Sequence, residues 1–249
     1  MPNVSALFQA EACAYQRYRP DYPAELFAWL SQQCASQQRV LDIACGSGQA
    51  SEAWRSHFDQ VLACDLNLAG LQRSPAHSPV LYVQSAAERL PITDHSLDMI
   101  SVAQALHWFA TPTFYNEARR VLQPHGLISA WSYGFFSSGL PALDHALQHF
   151  HDHTLGAYWS AGREHVMQGY RHLPFPFTQH LTPTFNITRH WLAEELLGYL
   201  SSWSALAQYR QHHADPLPAL ANTLHDIWPS SGERLCFTWP LCVLLGSPA

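Results

Sequence analysis

The chain has 249 residues, enough for one large domain or for a domain carrying a sizeable insertion. Hydrophobic residues make up 47%, ample for a core, whereas charged residues are only 13% and the formal net charge is −6 with no basic run. A nucleic-acid partner is excluded on that ground, because neutralising phosphates takes clustered Lys and Arg. The chain opens on no basic segment with an apolar core behind it, and no apolar run approaches membrane-spanning length, so the expectation is a cytoplasmic protein with no membrane partner.

The six cysteines are Cys13, Cys34, Cys45, Cys64, Cys236 and Cys242. None forms a C-x-x-C pair, which points to reduced thiols and no disulfide framework. Cys45, Cys64 and Cys236 fall in or at the ends of expected strands, where a thiol acts as a small apolar group.

Near the N-terminus, Tyr15-Gln16-Arg17-Tyr18-Arg19-Pro20-Asp21-Tyr22-Pro23 carries two X-Pro steps that force extended or turn geometry. Pro23 then opens a helix with Leu26, Leu30 and Cys34 on one face. Val40, Leu41 and Ile43 read as a buried strand running into a glycine turn at Gly46 and Gly48, where missing side chains let the backbone turn and a ligand come close. The next apolar run, Val61 to Cys64, ends on Asp65. That acid lies about twenty residues beyond the turn, the spacing at which a carboxylate meets the ribose hydroxyls of a nucleotide cofactor.

From 39 to 134 strands (39–44, 61–65, 80–84, 97–103, 127–133) alternate with helices near 48–58, 68–73 and 113–122. Asn67 and Thr111 or Thr113 are the expected caps. Such alternation predicts an α/β fold with a parallel sheet that collects ligands at the carboxyl ends of its strands. Ala44 to Gly48, Asp65-Leu66, Ala87-Glu88 and Gln104 to Trp108 all fall at those ends. Beyond Gly134 a Gly/Ser loop leads into a histidine-rich helix with Leu143, Leu147 and Phe150 on one face, then a second helix over Arg163 to Tyr170. A strand is expected at 180–191, helices at 192–200 and 216–228, and a last strand at 234–246. Pro240 argues for a bulge or an unpaired stretch in that strand.

The cofactor follows from the turn. A pyrophosphate-binding G-x-G-x-x-G needs a third glycine, but Ser51 stands there, and Asp42 just before the turn would repel phosphate. An acid there suits a positively charged cofactor without phosphate, and S-adenosylmethionine (SAM) fits. An NAD(P)-dependent oxidoreductase and a SAM-binding protein without catalysis are the alternatives. His149 and His153 share a helix face at zinc-ligand spacing, but no H-E-x-x-H is present and no metal is expected.

Val40-Leu41-Asp42-Ile43-Ala44-Cys45-Gly46-Ser47-Gly48 resembles motif I of the class I SAM-dependent methyltransferases. Ala87-Glu88-Arg89-Leu90-Pro91 with Asp94 to Ile100, then Gln104 to Phe109, Glu117 to Leu122 and Pro124-His125-Gly126, resemble further blocks of its type-11 family, in register over roughly 38–134. Ala44 departs from the glycine of many relatives, and Ala86 from an acid that meets adenine. The N-terminal segment resembles the trans-aconitate-methyltransferase-like branch.

The resemblance implies a Rossmann-like sheet with a helical cap inserted after the fifth strand. It also implies a single domain built from a cofactor-covering segment (1–37), a SAM-binding core (38–134), the cap (135–179) and a sheet-completing segment (180–249). The cofactor residues it implies are Asp42, Ala44, Gly46, Gly48, Asp65, Leu66, Ala87, Glu88 and Gln104, with Arg19 on the methionine carboxylate. His107 is the candidate for handling a proton or orienting the acceptor. Trp108, Arg163 and Tyr170, with Arg171, are the candidates for holding a small-molecule methyl acceptor, a carboxylate in that branch.

Overall fold

The computed structural model describes residues 18–230 and 232–248. Cys13 and Tyr15 to Arg17, read above as part of the N-terminal segment, lie outside them. The described residues fall into two compact units, 22–134 with 164–186 and 240–248, and 18–21 with 135–163 and 187–239.

The first unit is built on a sheet. Helix α1 (Ala24–Gln33) precedes β1 (Arg39–Ile43), and α2 (Gln49–Trp54), β2 (Gln60–Asp65), α3 (Leu68–Leu71), β3 (Leu81–Gln84), β4 (Leu97–Ala103), α4 (Pro112–Val121) and β5 (Leu122–Tyr133) follow in turn. Strands β1 to β5 pair in parallel in the order β3-β2-β1-β4-β5, and β8 (Leu235–Ser247) and β6 (Thr178–Gln179) extend the order antiparallel. This is the α/β architecture that the alternation predicts. The expected caps are present: Asn67 Oδ1 accepts from Ala69 N, Thr111 Oγ1 accepts from Phe114 N, and Pro112 takes the first helical position.

Both faces of the parallel strands are covered. On one, α4 packs Phe114, Tyr115, Ala118 and Val121 into a core with Leu41, Ile43, Ile100, Leu106, Val166 and Tyr170. Elsewhere in this unit α1 and α2 bring Phe27 and Trp54 edge to face at 4.8 Å, with Tyr22 against Trp131 at 5.5 Å. Asp98 is almost fully buried at the start of β4, and its Oδ2 accepts from the backbone N–H groups of Gln38 and Arg39 at 2.9 and 2.7 Å. That carboxylate ties the start of β4 to the start of β1.

The second unit is mainly helical. It contains α5 (Pro141–His149), which runs into a π-helical turn at Phe150–Thr154, and α7 (Ala193–Ser201), α8 (Ser204–Arg210) and α9 (Leu217–Ile227). Helix α6 (Arg163–Met167) begins at the edge of this unit and continues in the sheet unit. Strand β7 (Phe185–Trp191) pairs with β8. An aromatic cluster of Phe136, Trp191, Tyr199, Trp203, Phe237 and Trp239 fills the unit's interior.

Several sequence expectations are corrected. Helix α8 was not anticipated, the strand expected over 180–191 starts only at Phe185 as β7, and the two-residue β6 precedes the expected span. Cys236 is exposed, because β8 alternates buried and exposed positions there and 236 falls on the outward side. Strand β8 runs through Pro240 without a break, and its ladder with β5 begins at Leu241. A proline lacks only the N–H, so a strand tolerates it where that group has no ladder partner.

Candidate active site

Strand β1 ends in backbone that few residues adopt. Ala44, Gly46 and Gly48 have φ of 57°, 58° and 89°, and at the end of the neighbouring β4 Gln104 has φ 58°. For Ala44 and Gln104 this left-handed geometry costs energy, and such strain gathers at functional sites. Gly48 has a second reason to lack a side chain. A Cβ there would stand 2.1 Å from the Tyr82 hydroxyl, which donates to Glu52 Oε1 at 3.1 Å. At Gly46 a Cβ would meet nothing within 4 Å, so this part of the turn borders open space that a ligand can use.

Asp65 holds the turn from the end of β2. Its Oδ2 accepts from Gly46 N at 2.8 Å and its Oδ1 from Asn67 N at 2.7 Å. A carboxylate oxygen has more than one acceptor direction, so both oxygens keep capacity for ribose hydroxyls. The loop after β3 lies beside this acid. Ser85 N donates to Asp65 O, and Gln84 Nε2 donates to Leu66 O at 2.9 Å. Leu66 is 70% exposed, an apolar face beside the acid. Ala87 is buried in the sheet core, and Glu88 is half-buried in the turn that follows.

Asp42 is placed differently from the surface acids. It is fully buried, and each carboxylate oxygen accepts a hydroxyl: Oδ2 from Ser51 at 2.6 Å and Oδ1 from Ser101 at 2.9 Å. Ser101 in turn accepts from Trp54 Nε1 at 2.9 Å. Burial pushes the Asp42 carboxyl up to about 6, the serine hydroxyls opposing and the Asp65 charge adding to the rise. The network binds α2 to β1 and β4 directly under the turn. Ser51, the residue in the third glycine position, thus serves the carboxylate and not a pyrophosphate.

The sequence reading missed Ser101 and Tyr82. A lone serine in the apolar run Met99 to Val102, directly across the ladder from Asp42, was the available signal for the first. Only the close approach to Gly48 marks the second.

After β4, a 3₁₀ turn at Leu106–Trp108 carries His107. Its ring lies 4.7 Å from that of Trp108 and 6.1 Å from that of Tyr170, itself buried with φ 63°. Trp108 is 64% exposed. Three of the expected acceptor-side residues are therefore together on the sheet unit, and Arg171 belongs to that unit too. Arg19 and Arg163 belong to the second unit. There Arg19 donates to Ser202 O at 3.5 Å and lies over Tyr199, and Arg163 stacks on Trp159 at 4.6 Å. His149 and His153 do share a face, their rings 4.8 Å apart, and among the described residues no group of three metal-ligating side chains exists.

The methyltransferase-domain family matches residues 41–130. A solved structure from Anaeromyxobacter dehalogenans, described as a type II methyltransferase, is 35% identical, covers 93% of this chain and 100% of its own, and superposes with a TM-score of 0.86. A protein of Dictyostelium discoideum described as a methyltransferase is 29% identical over 215 residues, 85% of this chain and 82% of that protein. A malonyl-(acyl-carrier protein) O-methyltransferase of Dechloromonas aromatica is 34% identical over 131 residues, about half of each chain at 49% and 47%. Nothing in the site or in these relatives supports an oxidoreductase.

Proposed function

This chain belongs to the class I S-adenosylmethionine-dependent methyltransferases, and on that footing we propose that it methylates a carboxylate oxygen of a small-molecule acceptor. The observation that carries the reading is the strained turn from Ala44 to Gly48, with open space at Gly46 and Asp65 fastened beside it. SAM is the cofactor, and it supplies a methyl already activated by its sulfonium.

The chain's own residues then have three tasks. Asp65 accepts the ribose hydroxyls while keeping Gly46 in place. The backbone of Ala44, Gly46 and Gly48 approaches with no side chain larger than a methyl group, Leu66 and the Ala87-Glu88 turn take the adenine side, and Gln104 closes the β4 side. Arg19 takes the methionine carboxylate, and Asp42 acts through Ser51 and Ser101 by fixing the turn.

The acceptor must be aligned behind the methyl with water excluded. A carboxylate is ionised at neutral pH and needs no base. It needs donors, and Tyr170, Arg163 and Arg171 are of the right kind, with Trp108 as an apolar wall. His107 orients the acceptor through its imidazole. The Dechloromonas protein is named for methyl transfer to oxygen, which favours an oxygen acceptor here as well. The same reading gives a cytoplasmic enzyme.

Calorimetry with SAM and a turnover screen over small carboxylic acids test the proposal. Asp65→Ala should lose about ten- to a hundredfold in SAM affinity, the weight of about 1.5–3 kcal/mol of charged hydrogen bonding. Unchanged affinity removes Asp65 from the site. On a substrate found by the screen, a rate flat from about pH 6 to 8 and retained activity in His107→Gln support orientation without base catalysis. A limb near the ordinary histidine value of about 6.5 that vanishes in His107→Gln overturns the carboxylate reading.

A further inference from the structure

The carboxylate sealed under the turn lacks a counter-charge. Both oxygens of Asp42 hold neutral hydroxyls, Ser51 from α2 and Ser101 from β4. Hydroxyls stabilise a carboxylate without neutralising it, so an ionised Asp42 keeps much of its desolvation cost. Among the described residues it has no ion-pair partner. Asp65 brings a second negative charge from the end of β2. The other titratable groups that feel Asp42 are Cys45 on the turn, Cys64 on β2 and Tyr82 on β3. Burial pushes both thiols and the phenol up, the Asp42 charge adds to the rise at each, and all three stay neutral near pH 6. No cation stands in this set, so a cation must come from the ligand.

SAM brings a sulfonium and an ammonium. Its demethylated product, S-adenosylhomocysteine, keeps the ammonium and loses the sulfonium charge. Adenine, ribose and carboxylate are the same in both. Hydrogen bonds at Asp65 and at the turn therefore tell the two apart poorly, whereas an unneutralised carboxylate in a low-dielectric interior responds to the charge.

We propose that Asp42 is the residue by which this turn prefers SAM to S-adenosylhomocysteine, releasing its proton to solvent when the sulfonium arrives and taking one back when the neutral thioether is left. This deepens the methyltransferase reading and rests on it. Methyl transfer balances without Asp42: the acceptor oxygen forms the bond to the methyl carbon, and the sulfur keeps the electron pair of the broken bond. Asp42 answers the change of charge and touches no reacting atom. Burial holds its carboxyl up at about 6, so the exchange of protons is seen near that pH. A nearby cation favours the ionised form and lowers that value in the complex. SAM should thus bind more tightly as pH rises through about 6.

The test is calorimetry on the full chain with SAM and with S-adenosylhomocysteine from about pH 5 to 7, below the α-amino range of about 8 where the ligands' own ammonium groups titrate. Two buffers of different ionisation enthalpy count the protons released per ligand bound. SAM should release more than S-adenosylhomocysteine, and the preference for SAM should grow at least about threefold across the window, the weight of about half a pKa unit. Asp42→Asn, with folding checked by circular dichroism, should bind both ligands with a preference flat in pH and without the extra release. Ser51→Ala takes one donor from the ionised form and should move the release to higher pH. Histidines ordinarily titrate at about 6.5, so His107→Gln is the control, and the release should survive in it. Equal release by both ligands, a pH-dependent preference that persists in Asp42→Asn, an unmoved midpoint in Ser51→Ala, or release lost in His107→Gln overturns the proposal. A parent protein that binds neither ligand loses the methyltransferase reading, whereas one that binds both with a preference flat in pH loses only this role of Asp42.

Discussion

Gly48 and Asp42 show how differently two neighbouring residues can serve one turn. Gly48→Ala places a methyl against Tyr82 and forces φ 89° on a residue with a Cβ. The expected cost is about 1–3 kcal/mol in urea unfolding. Adding Tyr82→Phe should recover only part of it, since ring carbons remain 2.9 and 3.0 Å from the new Cβ. Full recovery would mean that the hydroxyl alone was in the way.

Asp42 gives a pH signature. Its value of about 6 in the folded protein exceeds the ordinary 3.8, so the folded state holds a proton that the unfolded chain has released. The stability it contributes is full below pH 3.8 and is lost as pH rises through about 6. Between pH 5 and 7.5 the loss is about 1.4 kcal/mol, and the difference between wild type and Asp42→Asn should carry it. A difference flat across that window would show that the serines hold the charge without penalty. The sequence announced Asp42, Gly46 and Asp65 by spacing. It could not announce that Asp42 is sealed under the turn, because that depends on β4 placing Ser101 opposite.

Among the elements, parallel strands and their helices were readable because buried strands leave apolar runs and helices leave caps. The blocks that carry the family resemblance turn out to be partly mechanical. Glu117 on α4 accepts from Leu90 N at 2.6 Å, and Arg120 donates to the carbonyls of Leu90 and Ile92 and to Asp94. These side chains clamp the loop before β4. Asp98 does similar service at the start of that strand. Asp98→Ala leaves two backbone donors without their acceptor and should lower unfolding stability by about 2–4 kcal/mol, with Asp98→Asn recovering part. Equal stability of all three proteins would mean that water replaces the carboxylate. The π-helical turn was not legible: His149 and His153 keep their helical spacing, and nothing in the sequence signals that His151 between them turns inward.

For the molecule as a whole, SAM at a hundredfold excess over its dissociation constant should add about 2.7 kcal/mol, whereas NAD should add nothing. A melting temperature that moves with NAD and not with SAM would reverse the cofactor assignment. The division into units was the least legible feature, because local periodicity carries no record of which distant segments meet. Residues 164–186 return to the sheet unit after the excursion through 135–163, and 240–248 return again after 187–239. The return of β8 fixes an order of events during synthesis. Ile128 to Tyr133 of β5 pair with Leu241 to Gly246, more than a hundred residues later. A chain growing on the ribosome therefore carries β5 as a bare hydrogen-bonding edge until that segment emerges, the condition under which strands seek wrong partners. Nascent chains halted before Leu241 should need a chaperone to stay dispersed, and those released beyond Gly246 should not.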